Sequence, residues 1–115
     1  MKKFLAIYTG SLASRREWEA LSEDKRRDRE KAGTDAWMKW VQSNKEVIVD
    51  SGAPLGKTKE ISRGGIADTR NAMAAYTIVQ APSHEEAARL FEKHPHFTIF
   101  PGEGVEVMEC LPLPR

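Results

Sequence analysis

Two segments of this 115-residue chain are apolar on both of their alternating faces, "KFLAIYT" at 3–9 and "NAMAAYTIVQA" at 71–81. Successive side chains of a β-strand point to opposite faces of the sheet. A strand that is apolar on both sides is therefore covered on both sides, and it is usually central in its sheet. The chain must fold so that two such strands receive two covering layers.

Helical patterns separate these strands from others. In "AGTDAWMKWVQSNKEV", at 32–47, five positions spaced i, i+4, i+7, i+8 and i+11 fall on one helical face, namely Gly33, Trp37, Trp40, Val41 and Asn44. The charged segment before it is predicted to be helical from Ser14, whose spacing to Glu17 is that of a capping box. A break is expected near Gly33, and Ser22 could open a further helix.

A second helix is predicted in "PSHEEAARLFEKHP", at 82–95, where Ser83 and Glu86 have capping-box spacing and Pro95 ends the helix. The segments "EVIVDSGAPL" and "GVEVMECLPLP" are typical of strands, and "GKTKEISRGGIADTRN" is typical of a loop or hairpin arm. The order β-α-β-β-α-β predicts one α+β domain over residues 1–115. Its fold would be ferredoxin-like, a four-stranded antiparallel sheet with both helices on one face.

The helices of such a fold cover only one face of the sheet. Because the two central strands are apolar on the other face as well, we expect that face to meet another sheet, most simply that of a second copy. The sequence therefore predicts a homodimer joined through the sheet face, a dimeric α/β barrel.

Composition excludes several classes of function. A formal net charge of +1 gives no field that would attract nucleic acid or a membrane surface, and no stretch approaches the ~20 apolar residues of a membrane span. The single cysteine, Cys110, favours a reducing compartment, so we expect a cytoplasmic protein. The segment "GAPLGKT" lacks the glycine spacing of a phosphate-binding loop, and no cofactor is expected.

His94 and His96 form an H-x-H pair with three possible roles. One histidine could be a general base oriented by Asp50. Both could bind a metal if the fold supplied a third ligand, but this spacing alone is a weak signal and we expect no metal site. His94 could instead simply cap the last turn of the second helix, and the pattern favours this structural role most.

Further site candidates come from the strands and the amphipathic helix. Glu109 shares a face of the last strand with Val105 and Val107, and a carboxylate on a covered face needs a partner or a raised pKa. It joins His94, His96 and Asp50 as a catalytic candidate. A pocket between sheet and helices would be lined by aromatic side chains, for which the candidates are Tyr8, Trp37, Trp40 and Tyr76. Such residues are more often part of the core.

Four segments together resemble the YCII-related (DGPF-type) family of small proteins, namely "MKKFLAIYTG", "AWMKWVQSNKEVIVDSGAPLGKTKEIS", "AYTIVQAPSHEEAARLFEKHP" and "VEVMECLP". The resemblance covers nearly the whole chain and implies a dimeric ferredoxin-like α/β barrel. Some members carry a His-Asp dyad in a pocket. The segment Ser14 to Asn44 has no histidine to match that dyad, and only Asp50 matches a comparable place. "GGIADTRNAM" stands where the DGPF signature is expected.

Two functional hypotheses follow. The first is a small protein that binds a small molecule between sheet and helices, with cofactor-free acid/base or hydrolytic chemistry at His94 or His96. The second is a non-catalytic ligand-binding or protein-interaction module, which the missing dyad histidine favours.

Overall fold

The computed structural model describes residues 1–114, which form a four-stranded antiparallel sheet with helices on one face. Its strands are β1 (Lys2–Thr9), β2 (Ile48–Asp50), β5 (Met73–Ala81) and β6 (Gly104–Glu109). The strand order across the sheet is β2-β5-β1-β6, with every neighbouring pair antiparallel. Both doubly apolar segments thus occupy the central positions, as their pattern predicts. The α+β class and the four-stranded antiparallel sheet are confirmed, and the arrangement is consistent with a ferredoxin-like fold.

Four helices lie between the strands: α1 (Leu12–Glu19), α2 (Glu23–Ser43), α3 (His84–Arg89) and α4 (Pro95–Thr98). The first predicted helical region is broken, but at residues 20–22 and not near Gly33, so that expectation was wrong. Ser22 caps α2 by accepting a hydrogen bond from the backbone N–H of Lys25, as anticipated, whereas Ser11 caps α1 in place of Ser14. The helix runs on through Gly33, which is buried against Phe100, and a Cβ atom at this position would overlap the Phe100 ring.

The core is a single layer between the sheet and the helices. Its fully enclosed apolar side chains are Phe4, Ala6, Tyr8, Val79, Ala81, Ala87 and Phe91. Trp37 and Trp40 of α2 pack against it and remain partly accessible. The predicted helical face is therefore the one that docks on the sheet, since burial of large apolar side chains is the main favourable term in folding.

The opposite face of the sheet carries no helix among the described residues. Leu5 of β1 lies beside Ile78 of β5 and Met108 of β6, so these three side chains form an apolar row on that face. We call it the open face. The molecule is only 18 Å thick along its shortest axis, which is the depth of one sheet and one helical layer.

Residues 58–69 form a separate hairpin of two strands, β3 (Thr58–Ser62) and β4 (Gly65–Thr69). We call this hairpin the arm. The sequence predicted a loop or a hairpin arm here, and the structure contains the hairpin. No helix among residues 1–114 is both long and apolar enough to span a membrane.

Candidate functional site

The turn between α3 and α4 directs both histidines of the H-x-H pair into the protein. Helix α3 ends at Arg89, and Lys93 then takes a positive φ of 56°, which reverses the chain direction. His94 is the N-cap of α4, with Pro95 in the first turn, where a missing N–H costs nothing. The predicted role of His94 as a C-terminal cap was therefore wrong: Pro95 opens the next helix, and His94 is fully buried.

The hydrogen bonds of His94 define its tautomer. Its Nδ1 accepts the backbone N–H of His96 over 3.0 Å, so the proton of the neutral ring is on Nε2. That Nε2–H is buried and has no hydrogen-bond partner within residues 1–114. Three aromatic rings surround the imidazole instead, those of Tyr8, Trp37 and Trp40, with centroid separations of 5.0, 4.5 and 4.7 Å.

This environment keeps His94 uncharged at neutral pH. Burial lowers its pKa to about 4, and repulsion from a charged His96 adds to the shift. The ring is therefore a neutral member of the aromatic core, and its N–H group is unpaired within residues 1–114.

His96 is oriented by the backbone and not by a carboxylate. Its Nε2 lies 2.7 Å from the carbonyl oxygen of Thr9, which can only accept, so Nε2 carries the proton. This leaves the lone pair of Nδ1 free to act as a proton acceptor. Burial lowers the pKa of His96, while the hydrogen bond to Thr9 opposes the shift. A neutral imidazole with a fixed tautomer is the form that a general base needs.

The Tyr8 side chain, on the central strand β1, packs against the rings of both histidines. The hydroxyl of Thr77 lies 3.2 Å from the carbonyl oxygen of Ser51 and donates its single proton there. It must therefore accept from the Tyr8 hydroxyl, 2.8 Å away. Burial raises the pKa of Tyr8 to about 12, so the phenol stays protonated at physiological pH.

A cavity of about 330 Å³ opens beside these residues, between α1, α2 and the segment that follows α4. Its walls include Trp18 and Phe100, whose ring centroids are 5.9 Å apart, and the Arg29 guanidinium lies 5.1 Å from the Trp18 ring centroid. The ring of Phe100 is in turn 6.0 Å from that of Trp37. Aromatic contacts thus run without interruption from the cavity to His94.

Gly102 separates this cavity from His96. The glycine lines the cavity, and a Cβ atom built on it would overlap the His96 imidazole. Only a residue without a side chain lets the backbone approach the ring this closely. His96 itself is 7 % exposed and is not among the residues that line the cavity.

The structure brings together some of the predicted site residues and leaves others apart. His94, His96, Tyr8, Trp37 and Trp40 form one cluster, which we call the histidine–aromatic cluster.

The remaining three candidates lie elsewhere. Asp50 is exposed at the edge of the sheet, where its carboxylate accepts the backbone N–H of Gly52 over 2.8 Å in a turn. Glu109 lies opposite Phe4 on the edge strand β6 and is half-buried, and Tyr76 pairs with Ile7 on the open face. The proposed orientation of a histidine by Asp50 is thus replaced in the structure by the Thr9 carbonyl.

Sequence reasoning missed Thr9, Thr77 and Gly102. It also missed Trp18, Arg29 and Phe100, which line the cavity, whereas the predicted ligand-binding residues Tyr8, Trp37, Trp40 and Tyr76 do not. A backbone carbonyl leaves no mark in the sequence, and the hydroxyl of Thr77 reads as an ordinary β-former. The one available signal was glycine at position 102, directly after Pro101, in a segment that must turn back to the sheet. Within residues 1–114 no three metal-ligating side chains lie close enough to hold an ion.

Comparisons with known proteins support the fold. No family model and no curated protein matches the sequence. Among solved structures, the chain is similar to the 5-chloro-2-hydroxyhydroquinone dehydrochlorinase TftG from Burkholderia phenoliruptrix AC1100, in complex with 2,5-dihydroxybenzoquinone. The TM-score is 0.54 at 16 % identity, over 92 % of this chain and 90 % of that one. This likeness shows a shared fold and is consistent with the resemblance to YCII-related proteins, whose family membership stays a prediction.

The buried, neutral His94 predicts a specific loss of stability in acid. In the unfolded chain the imidazole takes up a proton near pH 6.5, whereas in the folded protein it does so only near pH 4. Stability is therefore full above pH 6.5 and falls as the pH is lowered to 4, by about 3 kcal/mol at 1.36 kcal/mol per pKa unit. In His94→Asn, an amide oxygen can still cap α4 but cannot titrate. Urea unfolding from pH 7 to pH 4 should show a shallower loss for this variant, and parallel curves would contradict the assignment.

The contact between Gly102 and His96 predicts that Gly102→Ala destabilises the protein by about 1–3 kcal/mol, because the added methyl group has no space beside the ring. Gly104→Ala is the matched control two residues away. Its Cβ would lie 3.9 Å from its nearest neighbour, the Thr9 hydroxyl, which is an ordinary contact. Chemical denaturation of both variants tests the difference, and equal stabilities would show that His96 moves freely.

Proposed function

We propose that the protein binds a small planar molecule in the cavity beside the histidine–aromatic cluster. The observation that carries this proposal is the cavity of about 330 Å³, which is walled by Trp18 and Phe100 and by Gly102, against which His96 packs. Ligand sites are typically concave, and their volumes begin near 300 Å³. This cavity is open to solvent and exposes more polar than apolar surface, which suits a ligand with polar substituents. The similar dehydrochlorinase holds a dihydroxybenzoquinone, which makes a hydroxylated ring a reasonable first class of ligand.

The charges around the cavity favour a ligand with an anionic or strongly polarised oxygen. Arg29 stacks on Trp18 and donates a hydrogen bond to the carbonyl oxygen of Ile99, so its guanidinium is held at the cavity wall. A planar cation on an aromatic face has donors to spare for an enolate or phenolate oxygen. Glu17 lies on the same wall and could accept a ligand hydroxyl.

If the site is catalytic, His96 is the residue we propose as its general base. The Thr9 carbonyl holds its proton on Nε2, and the lowered pKa keeps Nδ1 unprotonated at pH 7. Cofactor-free removal of a proton from a hydroxylated ring would suit this state, and it requires the ligand to reach Nδ1, because the ring atoms next to Gly102 are Nε2, Cδ2 and Cε1. A base of this kind accelerates a reaction by typically 10²–10⁴-fold.

A non-catalytic binding module is the second candidate. It is favoured by the position of His96 behind Gly102, since the imidazole is not itself among the residues that line the cavity. A ligand could then be held by Arg29, Trp18 and Phe100 without meeting a proton acceptor.

The binding proposal predicts a ligand-dependent rise in melting temperature. With 2,5-dihydroxybenzoquinone and related phenols as probes, the wild-type Tm should rise with concentration, as binding to the folded state requires. Leu21→Trp, which fills the cavity from its wall, should remove the rise, and Arg29→Met should reduce it. A rise of equal size in Leu21→Trp would place the ligand elsewhere.

His96→Gln can still donate to Thr9 and should bind the probe, but any turnover detected in the wild type should fall at least 100-fold.

We also propose that the protein is a homodimer joined through the open face. Leu5, Ile78 and Met108 form its apolar row, and Met108 is 41 % exposed in the single chain. A second sheet packed face to face would cover this row in the manner expected for a dimeric α/β barrel. Sedimentation velocity should give twice the 12.9 kDa chain mass for the wild type, and Ile78→Lys, which puts a charge into the row, should give a monomer.

The cytoplasmic location stays a proposal as well. Cys110 is exposed on the surface, and an accessible unpaired thiol is best suited to a compartment that keeps cysteines reduced.

A further inference from the structure

The arm, residues 58–69, has almost no covered surface. Of its residues only Thr58 is partly buried. Ile61 and Ile66 lie directly opposite each other in the two strands and are 73 % and 71 % exposed. Two large aliphatic side chains thus form a solvent-exposed pair on a hairpin that projects from the domain.

A hairpin of two strands is only marginally stable in water on its own. Removal of apolar surface from water is the main favourable term in folding and association, so covering this pair would supply the stabilisation that the arm lacks. The arm therefore has the properties of an element whose packing surface lies on another molecule.

The two faces of the arm differ in a way that selects the packing side. The Ile61–Ile66 pair shares its face with Lys59 and Asp68, which are also cross-strand partners and form an ion pair of 2.6 Å. This face has an apolar centre beside a charge pair that is already neutralised. The other face carries Glu60 opposite Ala67, a carboxylate with no cross-strand cation. Burial is cheaper on the isoleucine face, because an unpaired charge is costly to remove from water.

The exposed area indicates how much of the chain is uncovered. Residues 1–114 expose 8632 Å², whereas a folded monomer of 12.9 kDa exposes about 6,300 Å². The excess, about 2,300 Å², is far more than the ~800 Å² that one partner buries in a standard interface, and it approaches what a subunit of an obligate dimer buries. The radius of gyration of 16.0 Å likewise exceeds the ~13 Å expected for a compact chain of this length.

The arm is connected to the rest of the uncovered surface at its root. Leu55 and Met73 flank the two ends of the hairpin and are 42 % and 51 % exposed. Met73 is the first residue of β5, the strand whose Ile78 lies in the open face. Exposed apolar groups therefore lead from the sheet to the arm, and one partner could cover both.

We propose that the arm packs through Ile61 and Ile66 on a second copy of this chain, as a clasp that extends the dimer interface beyond the open face. This inference rests on the homodimer proposed above and is independent of ligand binding. By two-fold symmetry each subunit gives one arm and receives one. The clasp would cover the apolar surface of the arm, which packing of the two sheets alone would leave exposed to solvent.

The test is the dimer dissociation constant measured by analytical ultracentrifugation. Ile61→Thr/Ile66→Thr keeps β-branched side chains in the hairpin but makes the packing face polar, and it should weaken the dimer at least tenfold. Glu60→Gln/Ala67→Ser alters the other face of the same hairpin and should stay within about twofold of the wild type. Near-UV circular dichroism of the tryptophans in all variants confirms that the body is folded.

A second measurement identifies what the arm contacts. A photo-crosslinking residue is placed at position 66, or at 67 as the control, in an equal mixture of ¹⁴N- and ¹⁵N-labelled protein. Mixed-isotope cross-links from position 66, and few from 67, are expected. Cross-links within one chain only would overturn the clasp.

The dimer and the clasp can fail separately. An unchanged dissociation constant for the double threonine variant, together with a monomeric Ile78→Lys variant, would overturn the clasp and leave the sheet-face dimer intact. A wild type that stays monomeric at 100-fold the working concentration would overturn both, while the thermal-shift result for the ligand would be unaffected.

Discussion

The burial of Tyr8 near the end of the central strand β1 is the constraint on which the rest of the site depends. Its ring is fully buried and contacts Trp37 from α2 and Phe91, His94 and His96 from the segment after α3. Its hydroxyl is satisfied within the sheet by Thr77. The Tyr8 ring on the central strand thus sets how closely α2 and the segment after α3 pack against the sheet.

Both histidines that pack on Tyr8 are buried as well, and neither has an acidic partner among the described residues. The protein satisfies them with backbone groups, the N–H of His96 for one ring and the carbonyl of Thr9 for the other. Backbone partners set the tautomers but do not hold a charge in place as a carboxylate would, so burial dominates and both rings stay neutral. This separates the cluster from a His-Asp dyad, in which the acidic partner favours the protonated ring. Any chemistry here would begin from a neutral imidazole.

A single chain leaves several large apolar side chains exposed. One sheet and one layer of helices give a slab with a core on one side only, and the arm extends from it without a covering surface. Both features have the same physical origin, which is apolar surface that the chain cannot bury against itself. The cavity lined by Trp18 and Phe100 lies on the helical side, away from the open face, so the proposed ligand site and the proposed dimer interface are different surfaces.

Local sequence patterns predicted the strands of the sheet and the docking face of the long helix, but not the break at residues 20–22 or the short helix α4. Two strands that are apolar on both faces had to be central, the Gly33–Trp37–Trp40 face had to dock, and Ser22 had to begin a helix, because strand alternation, helical period and capping chemistry are local properties. The partners of the histidines were not local. Asp50 matched the expected place for a carboxylate that orients a histidine, yet its side chain closes a turn at the sheet edge. A backbone carbonyl, 87 residues away in the chain from His96, orients that histidine instead. Only the tertiary structure could decide this, since every residue has a carbonyl and only the fold selects the one that meets the imidazole.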